Sequence, residues 1–197
     1  MSTNPPPIIV SGGGSAPPDQ GSPQGRALWA VGALIVIGVI LQVSLMPFVR
    51  ISDGMPDLIA CLVVAVAILR GPMVGGIAGA AGGLLVELTA PIGTLGVLAL
   101  LYLLLGAWAG RYCEREESVN VLPPIVMAMA GAAFVQLGYA AVQLMLGTPV
   151  FAADFTARVL VPSIVLTGLI AAPVLLIARR LLGEPRITEP FQLGQTA

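Results

Sequence analysis

Long apolar stretches alternate with short breaks rich in Gly, Pro and charge, and this pattern recurs from Ala27 almost to the C-terminus. The first stretch, Ala27 to Val49, has about 23 residues, and a helix needs roughly 20 to cross the hydrocarbon core of a bilayer. Trp29 near its start suits an interfacial anchor, and Pro47-Phe48 near its end loosens the helix. Asp53-Gly54 then supplies turn chemistry, Pro56 opens a second helix and Asp57 favours its N-terminus through the helix dipole. Only Leu58 to Leu69 runs uninterrupted before Arg70, about 18 Å of helix, so this span is expected to be short, snorkelled at its ends or tilted.

Arg70-Gly71-Pro72 predicts a tight corner leading into a third span, PMVGGIAGAAGGLLVELTA, which Pro91 and Gly93 end. A fourth span is expected over Thr94 to Trp108, followed by the mixed-charge loop GRYCEREESVN. The fifth covers about Pro123 to Leu146 and the sixth about Ala157 to Ala178. The fold class predicted is therefore all-α, a polytopic membrane protein with about six transmembrane helices. A re-entrant arrangement around residues 57 to 90 is the competing topology. Ahead of the spans, residues 1 to 25 are rich in Pro, Gly and Ser and read as a disordered tail. That tail lacks the basic start and apolar core of a signal peptide. The domain organisation expected is this tail, a transmembrane domain over 26–182 and a short tail over 183–197.

Composition sharpens the picture. Hydrophobic residues make up 57% of the chain and charged residues 10%, against about a quarter charged in soluble domains. The net charge of −1 argues against nucleic acid, which requires a concentrated basic face. All nine basic residues are Arg. With the N-terminus in the cytoplasm, Arg26, Arg70, Arg111, Arg115, Arg179, Arg180 and Arg186 fall inside, while Arg50 and Arg158 fall outside. Both termini are thus expected in the cytoplasm. Histidine is absent, which excludes His-based catalytic sets and imidazole metal sites. Cys61 and Cys113 lack the spacing of a thiolate metal site and read as packing residues. No enzyme activity, metal or cofactor is expected: Ser44, Ser163 and Thr167 lie in or near spans, but there is no His or Lys to activate them.

Several positions stand out as partner-binding or structural. Gly71, Gly75, Gly79 and Gly83 recur every four residues, a small-residue seam that permits close helix packing, with Gly76 and Gly82 beside it and Gly106 and Gly110 as a shorter version on the fourth span. Glu87 is an acid within an apolar span and requires a partner. Asp53 and Asp57 are read as helix caps, with contact to Arg50 as the alternative. Gln42, Gln136 and Gln143 are expected to hydrogen-bond across helices. The loop carrying Glu114, Arg115, Glu116 and Glu117 reads as a solvated turn.

The segment PDLIACLVVAVAILRGPMVGGIAGAAGGLLVELTAPIGTLGVLALLYLLLGAWAGR, residues 56 to 111, resembles the MreD family of rod-shape-determining membrane proteins. The resemblance lies in the order of features: Pro-Asp opening a span, Arg-Gly-Pro at a corner, a Gly-rich helix ending in Gly-Leu-Leu-x-acidic-Leu, then Pro-x-Gly and a Gly-ended span. Glu87 stands where the family more often has Asp. The resemblance implies a non-catalytic scaffold of the bacterial cell-elongation complex in the cytoplasmic membrane. Within this segment Asp57, Arg70 and Glu87 are the polar positions read as partner-binding or structural. The implied partners are an MreC-like single-span protein, with RodA and a penicillin-binding transpeptidase in the same complex, MreB indirectly, and membrane lipid. It implies further a fold similar to the substrate-binding subunits of energy-coupling-factor transporters. A small-molecule binding subunit of a vitamin or metal transporter is the alternative, disfavoured by the scarcity of polar and aromatic groups that would line a pocket.

Overall fold

The computed structural model describes residues 23–49, 53–89, 95–113, 122–147 and 156–183. The parts of the two expected tails at 1–22 and 184–197, and the charged loop at 114–121, lie outside the described residues, as does the Asp53 alternative partner Arg50.

Every described element is helical. We number them α1 (Pro23–Ser44), α2 (Leu58–Arg70), α3 (Pro72–Thr89), α4 (Val97–Cys113), α5 (Leu122–Met145) and α6 (Val161–Leu182). A short 3₁₀ turn, Met46–Phe48, follows α1, and one π turn, Thr156–Leu160, leads into α6. Helix boundaries differ from the sequence expectation at several ends, and two of the shifts have a plain local reason. Helix α1 begins already at Pro23, inside the stretch read as a tail, with proline in the first turn where its missing N–H is harmless. Helix α4 continues past Trp108 to Cys113, so Arg111 lies in its last turn, where a cation is favoured by the helix dipole.

Among the described residues four helices are long and apolar enough to cross a membrane: Leu28–Phe48, Pro72–Thr89, Leu122–Met145 and Arg158–Leu182. Helices α2 and α4 are shorter. At 1.5 Å per residue the 13 residues of α2 extend about 20 Å, well short of a hydrocarbon core of about 30 Å. Of the alternatives expected for this segment, a short helix is the one observed. Helix α2 is the centre of the bundle, buried on every side from Leu58 to Ala67, and packed by α1, α3, α4, α5 and α6. Large apolar side chains instead face outward from the surrounding helices, among them Ile40, Met73, Leu88, Leu100 and Leu169.

In lipid, apolar side chains gain little by leaving their surroundings, so close packing and hydrogen bonds have to hold helices together. Helices α3 and α4 provide the closest packing. A Cβ placed on Gly75 would lie 2.5 Å from the Ala67 Cβ and 3.1 Å from the Gly106 carbonyl oxygen, and one on Gly83 would lie 2.7 Å from the Ala99 Cα. Gly79 abuts the Tyr102 backbone, Gly106 the Gly75 backbone and Gly110 the Pro72 backbone. The two helices therefore run antiparallel with their backbones in contact along most of their length. Gly71 departs from the expected seam. It lies before α3, a Cβ there would meet nothing within 4 Å, and its φ of +88° is what requires glycine. The corner between α2 and α3, rather than packing, accounts for Gly71.

Candidate functional site

A helix that starts inside a protein has backbone N–H groups that water cannot reach, and each must find an acceptor. The start of α2 meets this demand through its own cap residue and polar side chains drawn from three other helices. Asp57 is the N-cap: its Oδ1 accepts from the Ala60 N–H at 2.8 Å. Its other oxygen, Oδ2, accepts from the Tyr102 hydroxyl of α4 at 2.8 Å. The Asp57 N–H donates to Thr167 Oγ1 of α6 at 2.9 Å, and that hydroxyl donates onward to the Ser163 carbonyl at 2.7 Å. The Met55 N–H donates to Ser163 Oγ at 3.1 Å. On the other side, Gln42 of α1 accepts from the Leu58 N–H at 2.8 Å and donates to the Pro56 carbonyl at 3.2 Å.

The stretch 53–57 is thus stitched on one side to α1 and on the other to α6. The Asp53 N–H adds a bond to the Arg158 carbonyl at 3.1 Å. Gly54 makes the approach possible, because a Cβ there would stand 2.8 Å from Pro162 Cβ and 2.9 Å from the Ser163 nitrogen. Asp57 and Ser163 are buried, and Thr167 has no exposed surface. Asp57 therefore takes the capping role expected of it, while Asp53 is exposed.

The acid in α3 meets a parallel need. Glu87 is buried, and its two carboxylate oxygens accept from the Gly96 N–H at 2.7 Å and the Leu98 N–H at 2.6 Å, the free donors at the start of α4. A negative charge at a helix N-terminus is also favoured by the dipole. At the opposite end of the bundle, Arg70 Nη2 donates to the Leu182 carbonyl at 2.5 Å, tying the end of α2 to the end of α6. Asp57, Arg70 and Glu87 are therefore not brought together. Each binds backbone at a different helix terminus.

Sequence reasoning assigned no common role to Tyr102, Ser163, Thr167 and Gln42. The signal available was a hydroxyl pair spaced i and i+4 on the last span, beside an amide on the first. The expected cross-helix bonding holds for Gln42; Gln143 Nε2 donates to the Tyr139 hydroxyl one turn earlier on its own helix. Gln136 Oε1 is buried without a hydrogen-bond partner among the described residues. Cys61 is buried, its thiol directed at the Thr167 carbonyl at 3.6 Å. Among the described residues no three Cys, Asp or Glu side chains are grouped so as to hold a metal ion.

The all-helical architecture, the four membrane-length helices and the outward-facing apolar side chains are those of an α-helical membrane protein. Comparisons with models of protein families, with curated proteins and with solved structures give no match to this chain.

Proposed function

We propose that the protein is a non-catalytic scaffold of the bacterial cell-elongation machinery, as its resemblance to the MreD family implies. In this reading it sits in the cytoplasmic membrane with six crossings and both termini in the cytoplasm. Its architecture is similar to that of the energy-coupling-factor substrate-binding subunits. It binds an MreC-like single-span protein, and through it RodA, a penicillin-binding transpeptidase and MreB.

The observation that carries this reading is the use made of Asp57, Arg70 and Glu87. These are three charged positions of the resembling segment, and each hydrogen-bonds to a helix terminus rather than converging on a shared pocket. Groups engaged in this way hold a fixed shape, the property a scaffold requires. The arginines also support the orientation. Arg70 and Arg180 lie at the ends of α2 and α6 that the Arg70–Leu182 bond joins, and Arg111 lies at the end of α4 that meets Pro72. An excess of arginine at one face marks the cytoplasmic side.

The test is gentle solubilisation of the tagged chain from its own cell envelope, followed by mass spectrometry of what accompanies it. Recovery of a single-span protein with wall-synthesis enzymes is the expected result. Recovery of paired ATPases with a coupling membrane subunit, or of a tightly held small molecule, would replace the scaffold with a transporter subunit.

A further inference from the structure

At the Arg70 end of the bundle, α4 and α5 separate into an apolar groove of about 400 Å³, within the range of about 300–1,000 Å³ of small-molecule pockets. Met127 is its buried floor, and Trp108, Tyr112, Val126 and Ala130 form its sides. Trp108 and Tyr112 are about half exposed, and such amphipathic rings favour the level of lipid headgroups. Arg111 follows Trp108 by three residues, so it lies on the same side of α4 and is exposed in the helix's last turn. An apolar groove and two interfacial aromatics, with an exposed arginine one turn beyond Trp108 toward the end of α4, match one molecule in order of depth: an acyl chain, a glycerol backbone and a phosphodiester. Arginine pairs with phosphate by charge-assisted hydrogen bonds, and basic positions between transmembrane helices on the cytoplasmic side hold lipid headgroups.

We propose that this α4–α5 groove is a phospholipid site. One acyl chain lies along Met127 and Ala130, and Arg111 binds the headgroup phosphate. The inference rests on the proposed reading only for the cytoplasmic placement of this end, since neither the groove nor its test involves a protein partner.

The chain has two tryptophans, Trp29 and Trp108, so a Trp29→Phe variant leaves Trp108 as the only indole reporter. That variant is reconstituted into phosphatidylcholine vesicles containing a small fraction of either brominated phosphatidylcholine or brominated diacylglycerol, which carries no phosphate. The phospholipid is expected to quench Trp108 several-fold more effectively at equal fraction. Arg111→Gln should bring the two quenchers level, and Ala130→Phe, at an exposed position, should reduce quenching by both by filling the groove. Equal quenching by the two lipids before any change at Arg111 would overturn the proposal. So would a Trp108 that neither lipid quenches, since a protein segment would then fill the groove. If Arg111→Gln fails to fold, the comparison of quenchers and the Ala130→Phe variant still decide the matter.

Discussion

The Tyr102 hydroxyl donates to Asp57 Oδ2 at 2.8 Å, joining the middle of α4 to the first residue before α2. Both side chains are buried, so neither can exchange this bond for one to water. The same tyrosine's backbone abuts Gly79 of α3. One residue thus connects the close-packed α3–α4 pair to the polar seat of the central helix.

Tyr102→Phe should therefore leave the ring packing intact and one carboxylate oxygen without its donor. A loss of about 1–3 kcal/mol is expected, the desolvation penalty of a buried group left unpaired. Thermal unfolding in detergent measures it. Stability equal to that of the parent would show that the bond does not hold α2 in place.

Glu87 accepts two backbone N–H groups at the start of α4, and only a side chain with acceptor oxygens can replace it. Glu87→Ala should lower stability by about 0.5–2 kcal/mol, as for loss of other N-terminal caps. Glu87→Gln, which retains one acceptor oxygen, should fall between the two. Were the glutamate a partner-contact residue alone, both variants would keep parental stability in isolation and lose only the co-purifying partner.

The glycine seam gives a paired expectation. Gly79→Leu places a side chain against the Tyr102 backbone and should destabilise by at least about 1–3 kcal/mol through overpacking. Gly32→Ala on α1 meets nothing within 4 Å and should be neutral or stabilising by up to about 1 kcal/mol, the difference in helix propensity. Melting temperatures that moved the same way for both would argue against the α3–α4 contact.

The orientation is open to labelling. In a Cys113→Ser background, with Cys61 buried, Leu146→Cys at the exposed position just after α5 should react with an impermeant thiol reagent added outside the cell. Leu122→Cys at the other end of the same helix should react only after the membrane is opened. Reversed reactivity would turn the protein over in the membrane and undo the arginine argument.

What the amino-acid sequence determined by itself was the solvent and the elements. Apolar runs of membrane length, broken at Asp53-Gly54, Arg70-Gly71-Pro72 and Gly147, announce the helices, because hydrocarbon leaves the backbone no partner but itself. The four-residue glycine spacing at Gly75, Gly79 and Gly83 likewise announced a close helix contact, since it is a local periodicity. Tertiary structure alone decided that α2, the shortest of the six α-helices described, is the centre of the bundle. It also decided that Gln42, Tyr102, Ser163 and Thr167, 14 to 110 residues apart in the chain from the backbone or carboxylate they serve, meet around one helix start. The reason is physical. A periodicity reports which face of a helix is small or apolar, whereas the partner of a buried donor depends on where another helix ends, and that is a property of the packed bundle.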